Sequence, residues 1–589
     1  MSATEPRTWT SEYYRTNELA CKSILENSDY LQQIPCLNSS SLDHLKHGHL
    51  VKFRGMVQDM YDPEYYFKKY SVKNKDTGES KIYSGMYKDS AQCLNNETEV
   101  IEMDSELNIM SERHTCVVIS IPGLNDWAKE KGIPSLEDPR VPGGSISTKR
   151  ELNDEEPMDI CEPPRKKEKT KVEKQGTEEI QNSFLSKEHI LNFPISNNDG
   201  KACIVKVINS CIKTQENVYD DKISLKLNEI VHILGFVSLD PTLGIIHSSD
   251  EMMSDPEIHT HNPPVSLVPR LHAIKITVET PLPNPRTSNI YSRVESIRSD
   301  LRMVLGQLLF GDVMAADYLI CHLISSVYLR KDHLCLGSFP INITNFPIAK
   351  YKSFTKDLYE VIASLVPKSH YLEITLDQLN DLNFIPKKDY ECNRLTSGIL
   401  QLSKNTHLVI DETGLTSGRV SAIGKKNYEA MTDMIQFQKV NYDFKYFSME
   451  YETDIPVLIL SEVKSFIPCP TQIPLMVDED TEDLYPRVME AARQYLRDEE
   501  RLSKIRDYLE VARIGEFEFG GDITDEIQED FVKLRQSRKN FGADNLHSLM
   551  VLARLMSLSR GKNDLTMECW KETVNMELQR MDRLPQRKT

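Results

Sequence analysis

The stretch from Leu305 to Ile324, LGQLLFGDVMAADYLICHLI, is the reading on which the fold turns. A short apolar run (Leu308, Leu309, Phe310) leads into a Gly-Asp turn at Gly311 and Asp312. Beyond the turn, Ala316, Leu319, Ile320, Leu323, Ile324 and Val327 recur at helical spacing and predict one apolar helix face. An apolar run, a glycine turn and a helix start together hold a nucleotide's phosphates, because free N–H groups at a helix N-terminus point toward the anion. A working loop of this kind carries Lys and then Ser or Thr in the first helical turn, for the phosphates and for Mg²⁺. Asp317 and Tyr318 stand in those two places. A carboxylate there repels phosphate and a tyrosine is a poor magnesium ligand, so the expectation is a degenerate site, no catalytic residue and no cofactor.

The second half of such a site is an apolar strand ending in two carboxylates, one to hold Mg²⁺ and one to polarise water. His407-Leu-Val-Ile-Asp411-Glu412 supplies it, with Gly398-Ile-Leu-Gln-Leu402 upstream. With Gly311-Asp312 and Ala315-Ala316, these residues resemble the ATPase module of minichromosome maintenance (MCM) helicase subunits, stripped of its phosphate-binding lysine. Val51-Lys-Phe-Arg-Gly-Met-Val-Gln-Asp-Met-Tyr-Asp-Pro63, Phe384-Ile-Pro-Lys-Lys-Asp-Tyr390 and Asn393-Arg-Leu395 resemble a relative of those helicases, the MCM-binding protein family of eukaryotes. The resemblance covers most of the chain apart from 1–50 and 136–195. It implies a nonenzymatic nuclear partner that binds MCM helicase subunits and assists assembly, stability or chromatin unloading of their complex during DNA replication. It also implies support for sister chromatid cohesion, and association with chromatin through MCM.

Composition bounds these expectations. A chain of 589 residues holds roughly three or four domains, and 39% hydrophobic residues suffice for packed cores. A net charge of -18 disfavours direct nucleic-acid binding, which needs clustered Lys and Arg. Twelve cysteines are scattered without a C-x-x-C pair or zinc-ribbon spacing, and no signal peptide is evident. Reduced thiols, no metal and a nuclear or cytosolic setting follow. No apolar run approaches the roughly twenty residues that span a bilayer, so a soluble protein with no membrane partner is expected.

In chain order, the expected organisation is α/β plus β. A helical segment (1–50) precedes an OB-like barrel in two parts (51–135 and 196–280), separated by a disordered insertion (136–195). A degenerate AAA+/MCM-like domain (290–480) and a C-terminal helical lid (481–589) follow. Strand patterns at 50–60, 81–87, 114–121, 202–208, 229–239 and 267–277, kinked by Gly55 and Gly235, suit a small coiled barrel. Phe53, Arg54, Tyr65, Tyr66, Phe67, Lys68 and Lys69 are the residues that would bind a single strand, but Asp59, Asp62, Glu64 and the acidic loop Glu97, Glu99, Glu102, Asp104, Glu106 oppose them. In the insertion, Lys149 and Arg150 are separated by a spacer from Arg165, Lys166, Lys167 and Lys169, the pattern of a bipartite nuclear import signal. Asp154 to Cys161, DEEPMDIC, reads equally as a docking peptide or plain linker. His259 and His261 read as solvent-facing loop residues, not metal ligands.

The second lobe opens with a helix over 294–305. Strands are predicted at 335–343, 371–376, 407–411, 440–448 and 456–460, with a helix over 354–365. Ser461 is a weak substitute for the polar sensor an ATPase wants after such a strand. Gly418 to Lys426, a second glycine–lysine pattern with wrong spacing, reads as a surface loop. Helices are expected at 482–510, 525–536, 543–558 and 565–580, and Asp544 stands where a lid's phosphate-sensing arginine would align. Two other functions compete with the favoured one. One is a divergent ATPase acting with MCM subunits through Asp411 and Glu412, and the other is a single-stranded nucleic-acid-binding protein. For Asp411 and Glu412 the structural reading, a strand end with Glu412 at a helix cap, is preferred.

Overall fold

A computed structural model describes residues 5–93, 95, 97–130, 186–196, 199–208, 225–243, 256–279, 290–331, 334–538 and 541–584. The import cluster at Lys149, Arg150, Arg165, Lys166, Lys167 and Lys169, and the DEEPMDIC stretch, lie outside them. The chain is a mixed α/β protein with several sheets.

The alternation of Val51, Phe53 and Val57 that marks a strand in the sequence becomes one wall of a barrel core shared with Val118, Val205, Ile233 and Leu271. The strand is Leu50–Asn74. It runs antiparallel to Ile109–Ile119, which pairs antiparallel with Ala202–Val207. That strand lies parallel to Arg270–Val278, which pairs antiparallel with Ile230–Ser238, and the latter returns to Leu50–Met56. Five strands therefore close on themselves and leave no open edge in the barrel wall. Both mid-strand glycines sit where backbones approach closely. A Cβ on Gly55 would lie 2.5 Å from the Ile119 carbonyl oxygen, and one on Gly235 2.5 Å from that of His272.

Several local expectations are revised. The first strand runs to Asn74, beyond the barrel, and carries Ser80–Ser84 and Glu99–Ile101 on its two margins. The N-terminal helical segment consists of three short α-helices, Ser11–Thr16, Glu18–Ile24 and Ser28–Gln32. They dock Trp9, Tyr14, Cys21 and Leu25 against Phe236 and Ile274. Lys187–Leu191, placed by sequence in the disordered insertion, is a helix, because Leu191 buries itself with Met56, Ile119, Ile204 and Val268. His259 and His261 lie on a helix, Pro256–His261, and not in a loop. His261 stacks on Tyr61 at 3.9 Å. Of the single-strand candidates, Phe53 and Tyr66 are core residues, Arg54 is paired with Glu279, and Arg113 covers the Tyr66 ring at 5.0 Å.

A buried ion network fastens the outside of the barrel. The segment after Ser84 brings Asp89 within 3.1 Å of His272 Nε2 and 3.7 Å of Lys206 Nζ, and Ser238 donates to it at 2.5 Å. Burial alone would raise the Asp89 carboxyl, but His272 and Lys206 hold it well below the usual carboxylate range.

The second lobe is built on a five-stranded sheet, parallel throughout, in the spatial order Ser369–Glu373, His407–Asp411, Val457–Leu460, Ile341–Thr344, Thr471–Pro474. Numbered by occurrence along the chain, that order is 2-3-4-1-5. A four-stranded sheet, Arg394–Thr396, Lys387–Asp389, Lys439–Asp443, Ser448–Glu452, stands beside it. Its strand Lys439–Asp443 follows Ala422–Phe437, a helix where a surface loop is predicted around Gly418 to Lys426. Ser421 caps it through the Gly424 N–H at 3.0 Å, and Ala430, Met431, Met434 and Ile435 bury one face.

The predicted helix at 482–510 is two, Glu479–Tyr495 and Glu499–Ile514, the second capped by Asp498. Gly521–Ser537, Ala543–Ser559 and Met567–Arg583 complete the C-terminal bundle. Tyr485, Leu502, Leu552 and Trp570 from this bundle share one core with Leu305, Phe310 and Leu319. Polar contacts join the two lobes. The Leu395 N–H donates to Asp59 Oδ2 at 2.7 Å, Gln401 Nε2 to the Gln58 carbonyl at 2.9 Å, and Trp127 Nε1 to the Ala363 carbonyl at 2.9 Å. Burial pushes the Asp59 carboxyl up to about 6.

Candidate functional site

In an open parallel sheet, ligands bind past the carboxyl ends of the strands, where the strand order reverses. Ile341–Thr344 occupies that place, between Val457–Leu460 and Thr471–Pro474, and a loop, Asn345 to Ser353, joins it to the helix Phe354–Leu365. This is the strand–loop–helix unit of the lobe. The stretch read that way in the sequence is a helix–turn–helix, because Leu301, Leu305 and Leu308 continue a helical face and Val294–Leu308 runs into the turn before Val313–Leu323. The apolar run that imitates a strand is thus the end of a helix.

The four residues predicted there have other work. Phe310 and Gly311 make the turn at φ values of +56° and +86°. Asp312 caps the second helix through the Ala315 N–H at 3.1 Å, accepts the Met476 N–H at 3.0 Å and pairs with Arg583. Asp317 pairs with Arg298 at 2.8 Å and Arg302 at 2.9 Å. The Tyr318 hydroxyl donates to Glu577 at 2.7 Å, and Arg580 neutralises that carboxylate at 2.6 Å. Burial, and then the Glu577 charge, push the Tyr318 hydroxyl far above its ordinary range.

Asp411 and Glu412 are not brought to these residues. Asp411 ends a strand three places across the sheet from Thr471–Pro474, beside which Asp312 sits. Both carboxylates are buried and engaged internally. Asp411 accepts the Tyr371 hydroxyl and, at 2.9 Å, the Thr413 N–H. Glu412 accepts Ser465 Oγ at 2.8 Å and the Phe466 N–H at 2.9 Å, so it fastens the loop after Leu460 and not a helix cap. Burial raises its carboxyl despite those bonds. Ser461 donates to Asn342 Oδ1 at 2.9 Å, again inside the sheet.

The loop at the central strand holds what sequence reasoning missed. Its residues are Asn-Phe-Pro-Ile-Ala-Lys-Tyr-Lys-Ser, with no glycine, yet with Lys350 six positions past the strand. The available signal was the apolar strand INIT followed by that lysine. Lys350 is pulled outward to Asp483 at 2.6 Å and Glu482 at 3.3 Å, on the first helix of the C-terminal bundle. Tyr351 stands where a Ser or Thr would ligate Mg²⁺. Four of the loop's N–H groups bond to the chain itself. Asn345 donates to the Glu462 carbonyl at 3.0 Å, Ile348 to Phe346 at 2.8 Å, and Lys350 and Tyr351 to Pro347 at 3.1 and 2.9 Å.

Aromatic rings pack together against this loop. Phe346 lies 4.8 Å from Phe354, Phe354 5.2 Å from Phe310, Phe310 4.9 Å from Tyr485, and Tyr485 4.8 Å from Tyr351. Phe310 comes from the helix–turn–helix and Tyr485 from the C-terminal bundle, so three separate segments meet in this plug. Among the described residues, no group of three or more His, Cys, Asp or Glu is placed to hold a metal, and no single helix is long and apolar enough to cross a membrane.

Fold and site together define a mixed α/β and β protein whose central strand–loop–helix unit is packed with its own aromatic side chains. A family model described as "Mini-chromosome maintenance replisome factor" matches residues 21–584. Relatives named "Mini-chromosome maintenance complex-binding protein" are 35% identical in Drosophila melanogaster, over 97% of this chain and 95% of the relative. Those of Mus musculus and Homo sapiens are 35% and 34% identical, over 96% of this chain and 94% and 93% of the relatives. The chain belongs to the family of mini-chromosome maintenance complex-binding proteins. The resemblance carried by residues 51–63, 384–390 and 393–395 is borne out.

Proposed function

We propose that this chain is a nonenzymatic nuclear partner of the MCM replicative helicase, binding MCM subunits and assisting assembly, stability or chromatin unloading of their complex, with support for sister chromatid cohesion. In this reading the parallel-sheet lobe is a degenerate AAA+/MCM-like domain under a helical lid, and the barrel is of the oligonucleotide/oligosaccharide-binding type. The strand order 2-3-4-1-5 and the closed five-strand ring, with its third and fifth strands parallel, support those assignments. The observation that carries the reading is the aromatic plug at the head of Ile341–Thr344. A subunit-like scaffold whose phosphate position is plugged presents subunit-like faces to its neighbours without entering their ATP cycle. Nuclear entry is assigned to Lys149, Arg150, Arg165, Lys166, Lys167 and Lys169, and chromatin is reached through MCM.

A divergent ATPase would need Lys350 free and the plug open. A single-strand binder would have to work through Tyr65, Phe67, Lys68 and Lys69, since Phe53 and Tyr66 are core residues. The test is purification of the tagged full chain from nuclear extract, followed by native mass spectrometry with and without Mg·ATP. MCM subunits in a fixed ratio that ATP leaves unchanged are expected. Their absence, or release by ATP through this chain, overturns the reading.

A further inference from the structure

Between the strands Ser80–Ser84 and Glu99–Ile101, residues 85–92 lie in no helix or strand and cross the outer face of the barrel as a strap. Tyr87 pins it, packed against Tyr14 at 5.9 Å and Phe236 at 5.8 Å. Its φ of +61° puts a bulky residue in the left-handed region. Such a conformation persists only where the surroundings enforce it, and it recurs at ligand clamps and switch segments. Two residues further on, Asp89 enters the buried ion network of the barrel, and Gln92 bonds the Asp240 carboxylate at 2.5 Å.

The face beneath the strap is cationic. Arg113, Lys206, Arg270 and His272 come from three strands of the barrel, with Lys206 level with His272 and Ser238 level with Arg270. All four are buried. The Asp89 carboxylate faces them with both oxygens: Oδ1 toward His272 at 3.1 Å and Lys206 at 3.7 Å, Oδ2 toward Ser238 at 2.5 Å and Arg270 at 3.6 Å. Arg113 donates to the strap's own carbonyls, Lys88 at 2.7 Å and Asp89 at 3.0 Å. Without Asp89, Glu64 is the carboxylate left among these cations, paired with Arg113 and, at 2.8 Å, with Lys206. The Asp240 carboxylate at the rim bonds Gln92 and Thr242, while its carbonyl accepts Arg270 at 3.1 Å. Burial pulls Lys206 and His272 below their ordinary values, so both depend on a neighbouring anion for their charge. The fit of Asp89 is incomplete. Arg270 Nη2, and Thr115 Oγ1 level with Lys206, are buried without a hydrogen-bond partner among the described residues.

A carboxylate brings two oxygens and a single charge, both oxygens already engaged here. A phosphate monoester brings three acceptor oxygens and close to two charges. It therefore matches the excess of Arg113, Lys206 and Arg270 over Glu64 and supplies an acceptor for Arg270 Nη2. A nucleic-acid backbone needs a row of cations, whereas this is one cluster with Glu64 inside it. We propose that Arg113, Lys206, Arg270 and Ser238 form a binding site for a phosphate monoester, which the strap closes by inserting Asp89 as an internal stand-in. Displacing the strap frees the Arg113 N–H groups held by the Lys88 and Asp89 carbonyls and lets Tyr87 leave its left-handed conformation.

Asp89→Asn in the full chain tests this, since it keeps the strap's shape and removes its charge. The probe is a fluorescein-labelled peptide lacking Lys and Arg and carrying one phosphoserine, with its unphosphorylated form as control. It is titrated by anisotropy against wild type, Asp89→Asn, and Asp89→Asn combined with Arg270→Gln, and thermal melting checks each fold. Asp89→Asn is expected to bind at least about tenfold tighter than wild type, Arg270→Gln to remove that gain, and the control peptide not to bind. No gain in Asp89→Asn, or a gain that Arg270→Gln leaves intact, overturns the proposal. Should a variant fail to fold, the wild type decides. Trypsin cleavage after Lys88 should speed up at least about threefold with millimolar phosphopeptide, because ligand displaces the strap; an unchanged rate overturns the proposal. Competitors identify the source of the phosphate. Inorganic phosphate competing as well as the peptide assigns the site to a free anion, and much weaker competition assigns it to a phosphorylated protein segment; both support the proposal. Competition by single-stranded DNA and not by inorganic phosphate overturns it.

Discussion

The turn at Leu309 to Asp312 and the loop at Asn345 to Ser353 both precede a helix, and their compositions point the wrong way round. The turn has the glycine and no parallel strand behind it; the loop has the strand and no glycine. A phosphate site needs both, because the strand sets the position and the glycine clears the backbone for the anion. Position in the sheet, not glycine content, decides which segment faces the place where a ligand would sit. Both segments are closed by the same C-terminal bundle. Arg583 reaches Asp312 at the turn, while Glu482, Asp483 and Tyr485 close over the loop.

If the loop is truly filled by packing, its aromatic residues are core residues and their loss is costly. Phe354→Ala is expected to destabilise the chain by about 4 kcal/mol in urea unfolding. It should confer no nucleotide binding, since the Asn345, Ile348, Lys350 and Tyr351 N–H groups stay bonded to the chain and Lys350 stays paired with Asp483. If the turn is a structural joint, Asp312→Ala should cost about 2–3 kcal/mol, because it removes a helix cap and leaves Arg583 without its carboxylate. Gly311→Ala sharpens the same contrast. A φ of +86°, with Asp478 Cβ 3.1 Å from an added Cβ, predicts a loss of about 1–2 kcal/mol by the same assay. Lys350→Ala carries the smallest effect. Its ammonium is on the surface, so the urea midpoint should stay at the wild-type value. A large drop would mean that Lys350 holds the loop in place.

Much of the architecture was legible because its signals are local. Alternation at Val51, Phe53 and Val57 and the apolar run before Asp411 needed no tertiary information. The helix Ala422–Phe437 was hidden by a glycine–lysine pattern at its start that drew attention to the wrong chemistry. The strand's extension past Met60 was hidden because its outer half carries charges and tyrosines in place of clean alternation. At the candidate site, the sequence rightly marked Asp411 and Glu412 as a strand end but paired them with the wrong turn. Helix 294–308 and the imitation strand share one apolar period, and nothing local separates them. The plug could not be read at all, since Phe310, Phe354 and Tyr485 meet across 175 residues of chain.

The central claim is that the head of the parallel sheet is closed to nucleotide. Isothermal titration of the full chain with Mg·ATP tests it most directly. The account predicts no saturable binding at millimolar ATP. Micromolar binding that Lys350→Ala abolishes would contradict it.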